Sequence, residues 1–169
     1  PRSTVARWLH RHNLGRLRQL APPEPARRYQ KATAGELIHL DVKKLGKIGR
    51  IGHRITGNRR SRARGVGWEF VHVAIDDASR LAYAEVLEDE RAPTSTAFLR
   101  RARDAFLASG IRVQALLTDN GSCYRSHAFA ATCTELKLRH HRTRPYRPRT
   151  NGKAERFIQT LQREWAYAF

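Results

Sequence analysis

Two short apolar runs constrain this chain more than any other feature. Leu37-Ile38-His39-Leu40 ends on Asp41, and Ala115-Leu116-Leu117-Thr118 ends on Asp119. Before the second run, Pro93 can open a helix that reaches about Ser109. Ala97, Phe98, Ala102, Ala105 and Phe106 would line its inner face, and Gly110 would close it. A helix crossing between two strands of one sheet makes those strands parallel. The two aspartates then lie at the same edge, and open α/β sheets build their sites at strand carboxyl ends.

The other strand signals fall into order around this pair. Leu37 to Val42 alternates, with Leu37, His39 and Asp41 on one face and Ile38, Leu40 and Val42 on the other. Phe70 to Ile75 is a second strand, Asp76-Asp77-Ala78-Ser79 is turn chemistry, and Leu81 to Leu87 returns as a third. Val113 to Thr118 is the fourth strand, a helix follows from about Ser126 to Leu136, and Arg139 to Arg142 makes a short fifth strand. The order β-β-β-α-β-α-β-α predicts an α/β chain of ribonuclease H-like fold, a five-stranded mixed sheet flanked by helices.

Asn151-Gly152 starts the last helix, whose buried stripe should be Ala154, Phe157, Ile158, Leu161, Trp165 and Ala168. Glu155, Gln159 and Gln162 form the adjacent polar stripe. Glu155 sits near the positive end of the helix dipole, which is also its plain explanation. Asp119-Asn120-Gly121 alone can be a simple turn, and Asp41 a strand-end cap. Under the predicted topology the three carboxylates instead make one metal site.

Charge narrows the partner. The 169 residues carry 33 Lys and Arg against 15 Asp and Glu, a net +18, which points to a polyanion such as nucleic acid. Charge alone suits a non-catalytic RNA-binding protein equally well. No long apolar stretch or signal peptide points to a membrane. Cys123 and Cys133 lack zinc-ligand spacing and read as ordinary thiols of a cytoplasmic, nucleoid-associated protein. Between Val42 and Trp68 there are nine Lys and Arg and no acid, with glycines at 46, 49, 52, 57 and 65. This reads as a DNA-backbone arm carrying Lys43, Lys44, Arg59, Arg60, Arg62 and Arg64, or else as a solvated loop. Arg144, Arg147, Arg149, Lys153 and Arg156 cluster nearer the acids and are candidate phosphate contacts.

Residues 1–20 read as a basic helix capped by Ser3 or Thr4, with Val5, Trp8 and Leu9 on one face. Such a helix suits the recognition helix of a partial helix-turn-helix, and equally a stray amphipathic segment. Residues 21–34 form a Pro-rich linker around Ala21-Pro22-Pro23-Glu24-Pro25, leaving 35–169 as the core domain. The chain begins at Pro1, contains no Met and stops at Phe169 without a helix cap, so it reads as a piece of a longer protein, truncated at its C-terminus.

Leu40-Asp41-Val42, Thr118-Asp119-Asn120-Gly121-Ser122, Pro145-Tyr146-Arg147-Pro148 and Thr150-Asn151-Gly152-Lys153-Ala154-Glu155-Arg156 resemble the DDE transposases of bacterial insertion sequences. The likeness is to the insertion-sequence family 481 type, related to the retroviral integrase catalytic core. It covers residues 35 to 169, and 35 residues separate Asp119 from Glu155. The resemblance implies that Asp41, Asp119 and Glu155 are the catalytic and metal-binding triad. It also implies that Asn120, Gly121, Tyr146, Asn151 and Gly152 belong to loops bordering the active site, and that Gln159 and Gln162 grip the DNA end. Two features depart from the retroviral pattern. No His/Cys zinc module precedes the core, and Leu45 to Trp68 is longer and more basic than a simple strand connection.

Clustered carboxylates repel unless a cation neutralises them, and hard oxygen ligands select Mg²⁺, with Mn²⁺ as substitute. Two ions would clamp the scissile phosphate once DNA is bound, with Asp41 bridging, Asp119 completing one shell and Glu155 the other. The implied reaction is hydrolysis at transposon ends followed by strand transfer into target double-stranded DNA. Synapsis of two ends calls for a homodimer or higher oligomer. A ribonuclease H-type hydrolase and a non-catalytic transposase fragment are the rival readings. His39 shares a face with Asp41 and could support it, or simply be a satisfied polar residue at the domain edge. Asp76 and Asp77 read as hairpin-turn residues more readily than as further ligands.

Overall fold

The structure, a computed structural model, describes residues 1–15, 30–47, 67–143 and 151–166. Residues 21–29 of the expected linker, the arm residues Arg59, Arg60, Arg62 and Arg64, then Arg144, Tyr146, Arg147, Arg149 and Ala168, lie outside the described residues.

Five strands form one sheet in the order β3-β2-β1-β4-β5. They are β1 (Ile38–Gly46), β2 (Trp68–Asp76), β3 (Ala82–Leu87), β4 (Ala115–Thr118) and β5 (Arg139–Arg142). β1 pairs antiparallel with β2 from Ile38↔Asp76 to Gly46↔Trp68, and β2 pairs antiparallel with β3. On the other side β1 runs parallel to β4, through Ile38↔Leu116 and His39↔Leu117, and β4 runs parallel to β5. This is the expected mixed sheet, and with its helices it makes a ribonuclease H-like fold.

The helices are α1 (Arg2–Arg11), α2 (Ala92–Ala108), α3 (His127–Glu135) and α4 (Gly152–Leu161). Pro93 opens α2, where its fixed φ and missing N–H cost nothing, and Gly110 follows the helix at φ +77°. The Ser126 hydroxyl caps α3 by accepting from the Phe129 N–H at 3.1 Å. Phe98, Leu99, Ala102 and Phe106 of α2, and Phe129 and Cys133 of α3, bury against Ile38, Leu40, Ala74 and Leu116 of the sheet. A smaller cluster on the opposite face joins Val71 and Val73 to Ile158 of α4, with Leu45, Phe157 and Leu161 at its margin. Cys123 and Cys133 are both free and buried. Where the chain enters the sheet, Gly35 adopts φ +86°, and a Cβ there would collide with the Arg112 carbonyl oxygen.

Four expectations change. First, β1 continues past Val42 to Gly46, because its ladder with β2 continues through Lys43↔Val71, Lys44↔Phe70 and Leu45↔Glu69. Lys43 and Lys44 therefore lie on a paired strand and not in a loose arm. The Lys44 ammonium sits 4.6 Å from the Trp68 ring centroid and 5.5 Å from that of Phe70. Second, Asp41 falls within its strand; it is the parallel neighbour β4 that stops, at Thr118.

Third, α4 gives way to a π-wound turn, Gln162–Ala166, which takes later residues off the 3.6-residue stripe. Trp165, expected to be buried, is 58% exposed. Fourth, α1 has Pro1 at its N-cap with no side-chain cap, so Ser3 and Thr4 lie inside the helix, and it buries none of its residues. No helix among the described residues is long and apolar enough to cross a membrane.

Candidate active site

Asp41, Asp119 and Glu155 come from three elements. Asp41 lies on the face of β1 that α4 covers, opposite Val73 and half-buried. Burial, and then the charges of Asp119 and Glu155, push its carboxyl up to about 6, against a hydrogen bond from the Val42 N–H. Asp119 leaves the end of β4 exposed, and its Oδ1 accepts from the Gly121 N–H at 2.8 Å. A Cβ at position 121 would stand 3.0 Å from that oxygen, so a glycine keeps the turn close around the carboxylate. Asn120 Nδ2 donates to the Thr143 carbonyl at 2.9 Å, tying the turn to the exit of β5.

Glu155 is exposed in the first turn of α4, the only acid there. Its helix is anchored just ahead of it by buried polar side chains. Asn151 Nδ2 donates to the Leu40 carbonyl at 3.1 Å, and Asn151 Oδ1 faces His39 Nδ1 at 3.1 Å. The other nitrogen, His39 Nε2, lies 2.7 Å from Asp77 Oδ1. Lys153 Nζ donates to that same Asp77 oxygen, and at 3.2 Å to the Asp77 carbonyl. The Lys31 N–H reaches Asp77 Oδ2 at 2.6 Å. Burial works against the Asp77 carboxylate, but hydrogen bonds from Lys153, Lys31 and His39 outweigh it and hold its pKa below the ordinary value.

The remaining expected residues divide by exposure. Arg156 and Gln159 are exposed, and Gln162 is half-buried where the winding changes. Lys153, expected on phosphate, has its ammonium on Asp77 and only 20% of its side chain exposed. Asn151, expected in a loop, is the buried N-cap of α4, and Gly152 is the helix's first residue.

Asp76 does serve the hairpin turn. Its Oδ2 accepts from the Ser79 N–H and hydroxyl, each at 2.7 Å, while Oδ1 accepts from the Gly35 N–H at 2.8 Å. Asp77 does something the sequence reading missed, since it holds a lysine and a histidine from distant parts of the chain. The doubled acid Asp76-Asp77 was the available signal, and one of the two was surplus to a turn.

Tyr124, buried beside Cys123, feels the same acids. Burial raises its hydroxyl pKa well above the ordinary value, and the charges of Cys123, Asp41 and Asp119 add to that. Among the described residues no three His, Cys, Asp or Glu side chains gather closely enough to hold an ion as one set. The donors nonetheless fit a hard divalent cation. They are carboxylate oxygens, one of them half-buried, with its pKa raised first by burial and then by its like-charged neighbours.

Residues 33–148 match the family described as Integrase core domain, and residues 136–168 match a second family of the same description. The Intracisternal A-particle Pol-related polyprotein of mouse intracisternal a-particle MIA14 is 32% identical over 94 residues, covering 56% of this chain and 10% of that protein. The uncharacterized protein K02A2.6 of Caenorhabditis elegans is 42% identical over 50 residues, covering 30% of this chain and 4% of that protein. The chain thus spans a tenth or less of the curated relatives it matches.

Among solved structures, a simian T-cell lymphotropic virus intasome, in complex with PP2A regulatory subunit B56 gamma, superposes with a TM-score of 0.64 at 22% identity. That match covers 84% of this chain and 45% of the other. The catalytic core domain of BIV integrase gives 0.51 at 21% identity, covering 75% and 66%. At these identities the structural likeness shows the fold, and the sequence match across 33–148 shows the family. The chain belongs to the integrase core domain family.

Proposed function

We propose that this chain is the catalytic core of a DDE-type transposase of the bacterial insertion-sequence 481 kind. It cleaves DNA at transposon ends and transfers the strand into target DNA. One observation carries the reading: Asp41 on β1, Asp119 just past the end of its parallel neighbour β4, and Glu155 in the first turn of α4, which packs on β1 and β2, are three acids on three adjoining elements. Relatives named as an integrase and an intasome support a DNA substrate, as does the net charge of +18.

In this reading Asp41, Asp119 and Glu155 would hold two Mg²⁺ ions, with Mn²⁺ as substitute. Bound there, the ions supply a lowered pKa for the attacking water or 3′-hydroxyl and neutralise charge on the leaving oxygen. The protein's own part is to keep three carboxylates at a sheet edge and to draw DNA alongside them. Arg156 and Gln159 follow Glu155 along α4, Gln162 begins the π-wound turn after it, and all three would meet the bound end. Arg144, Arg147 and Arg149 lead into the same helix and would meet backbone phosphates. Residues 1–20 add a DNA-binding element, residues 35–169 the core. The working form is a homodimer or higher oligomer at the bacterial nucleoid, holding two ends together.

The test is strand transfer in Mn²⁺ with a labelled duplex carrying the element's ends. Joined product from the wild type, lost in Glu155→Gln, is expected. No joined product, with Glu155→Gln indistinguishable from wild type, would sink the reading. For the basic arm, replacing Arg59, Arg60, Arg62 and Arg64 by Ala should lower the log–log salt slope of DNA affinity by up to about 3–4. An unchanged slope removes the arm from the DNA contact.

A further inference from the structure

We infer that Asn151 and Asp77 are positioning residues: through the buried chain Asn151–His39–Asp77–Lys153 they fix the first turn of α4, and with it Glu155, against the strand that bears Asp41. The inference rests on the proposed function, since Glu155 must take part in the chemistry for its position to matter there.

The geometry is specific. The parallel register of β1 with β4 ends at His39↔Leu117, and the next carbonyl, that of Leu40, accepts from Asn151 Nδ2. Asn151 stands at the N-cap of α4, yet its side chain makes no capping bond to the helix. Its amide is turned onto β1 instead, beside the residue that precedes Asp41. Two positions on, Lys153 reaches Asp77 at the β2–β3 turn, and Asp77 holds His39, which closes the loop back to Asn151. Asp77, His39 and Asn151 are 0%, 1% and 3% exposed.

Apolar contact alone is a poor locator for this helix. α4 buries only Ala154 and Ile158 fully, and a helix of 10 residues is marginal without tertiary support. Apolar contacts tolerate sliding and rotation, whereas a satisfied polar network has one arrangement. Both residues anchored here, 151 and 153, precede Glu155 within a turn. Any slack in them is transmitted directly to its carboxylate.

The experiment compares wild type, Asp77→Asn, Asn151→Ala and Lys153→Met, with Glu155→Gln as the chemically dead control. Three quantities are read: nicking of supercoiled plasmid against Mg²⁺ concentration, affinity for a fluorescent duplex in EDTA, and amide hydrogen exchange of the metal-free protein. Loss of the tether should lower kcat about 100-fold, as for a misplacement near 1 Å. Mg²⁺ tolerates little departure from octahedral geometry, so half-saturation should move to higher Mg²⁺. Affinity in EDTA should stay within about twofold, because uniform DNA binding is untouched. Exchange should quicken across residues 152–158 and not across β1 and β2.

Wild-type kcat and Mg²⁺ requirement in folded Asn151→Ala and Asp77→Asn would overturn the inference. So would a Lys153→Met variant that loses EDTA affinity and about one unit of salt slope with kcat intact, since Lys153 would then be a phosphate contact. If Asp77→Asn does not fold, Asn151→Ala, which leaves the Asp77–Lys153 pair in place, carries the test. If the wild type itself does not nick, the proposed function fails on its own, while hydrogen exchange still decides whether the tether holds α4.

Discussion

Asp41 and Glu155, two acids of the proposed site, are held in place by different physics. Asp41 sits in a nine-residue strand whose ladder with β2 runs without a break, so backbone hydrogen bonds fix it and no single side chain decides its position. Glu155 is exposed on a short helix resting on the sheet through two buried apolar residues and a set of buried polar contacts. A carboxylate placed by a ladder is hard to move by mutation; one placed by side chains moves when any of them is lost. Asp119 lies between these cases, at the end of a ladder and closed by its own hydrogen bond to Gly121.

The largest effects should erase the contrast. Asp41→Asn and Glu155→Gln each replace a carboxylate of the proposed metal site with a neutral amide, and each should slow Mg²⁺-dependent cleavage by at least about 10³-fold, on the order of 4 kcal/mol of barrier. Single-turnover cleavage measures this, and EDTA should imitate both variants. If one of the two retains more than a tenth of wild-type rate, the acids do not act as one site.

Damage to the shared frame should come next and touch both halves alike. Phe106 is 2% exposed in the main cluster, and Phe106→Ala should cost about 3–5 kcal/mol in chemical denaturation. Cleavage per folded molecule should hardly change. A selective loss of cleavage in folded Phe106→Ala would mean that the core, and not the tether, positions Glu155.

Acid titration separates Asp41 from its partners. Its folded pKa of about 6 lies above the unfolded value, so the folded state binds the proton more tightly. That stabilisation is complete below about pH 4 and is lost as pH rises towards 6, a change of at most about 3 kcal/mol for this group in the metal-free protein. Asp41→Asn should flatten that part of the stability profile. Because a cation competes with the proton, saturating Mg²⁺ should shift the acid limb of cleavage below pH 6. A profile identical in wild type and Asp41→Asn would contradict a shared field at this residue.

The smallest effect tests the continuation of β1. Lys44→Ala removes a cation from above Trp68 and Phe70 and should cost about 0.5–1 kcal/mol, with no change in the exchange of α4. A larger cost, or a loosened α4, would show that the far end of β1 contributes to the tether.

Much of this frame was legible beforehand. The Pro93 start and the Ser126 cap are local patterns that gave helices close to their observed bounds, and the alternation at Ile38, Leu40 and Val42 gave β1 and its start. Misreadings arose where distant residues decide. β1 outlasts its apolar pattern because the opposite strand keeps pairing with Lys43, Lys44 and Leu45, whose side chains gave no strand signal. The helical stripe to Trp165 fails at a π-wound turn that no periodicity announces.

The sequence by itself determined the sheet, its strand directions and the three elements that bear the acids. Strand alternation, helix caps and crossover handedness are properties of a local backbone, and each leaves a periodic or positional mark. Only the tertiary structure decided that His39, Asp77, Asn151 and Lys153 meet, across separations of 38, 76 and 112 residues. A buried polar contact needs complementary atoms at one point in space and obeys no period, so the order of residues marks at most a surplus acid in Asp76-Asp77 and never the partners it meets.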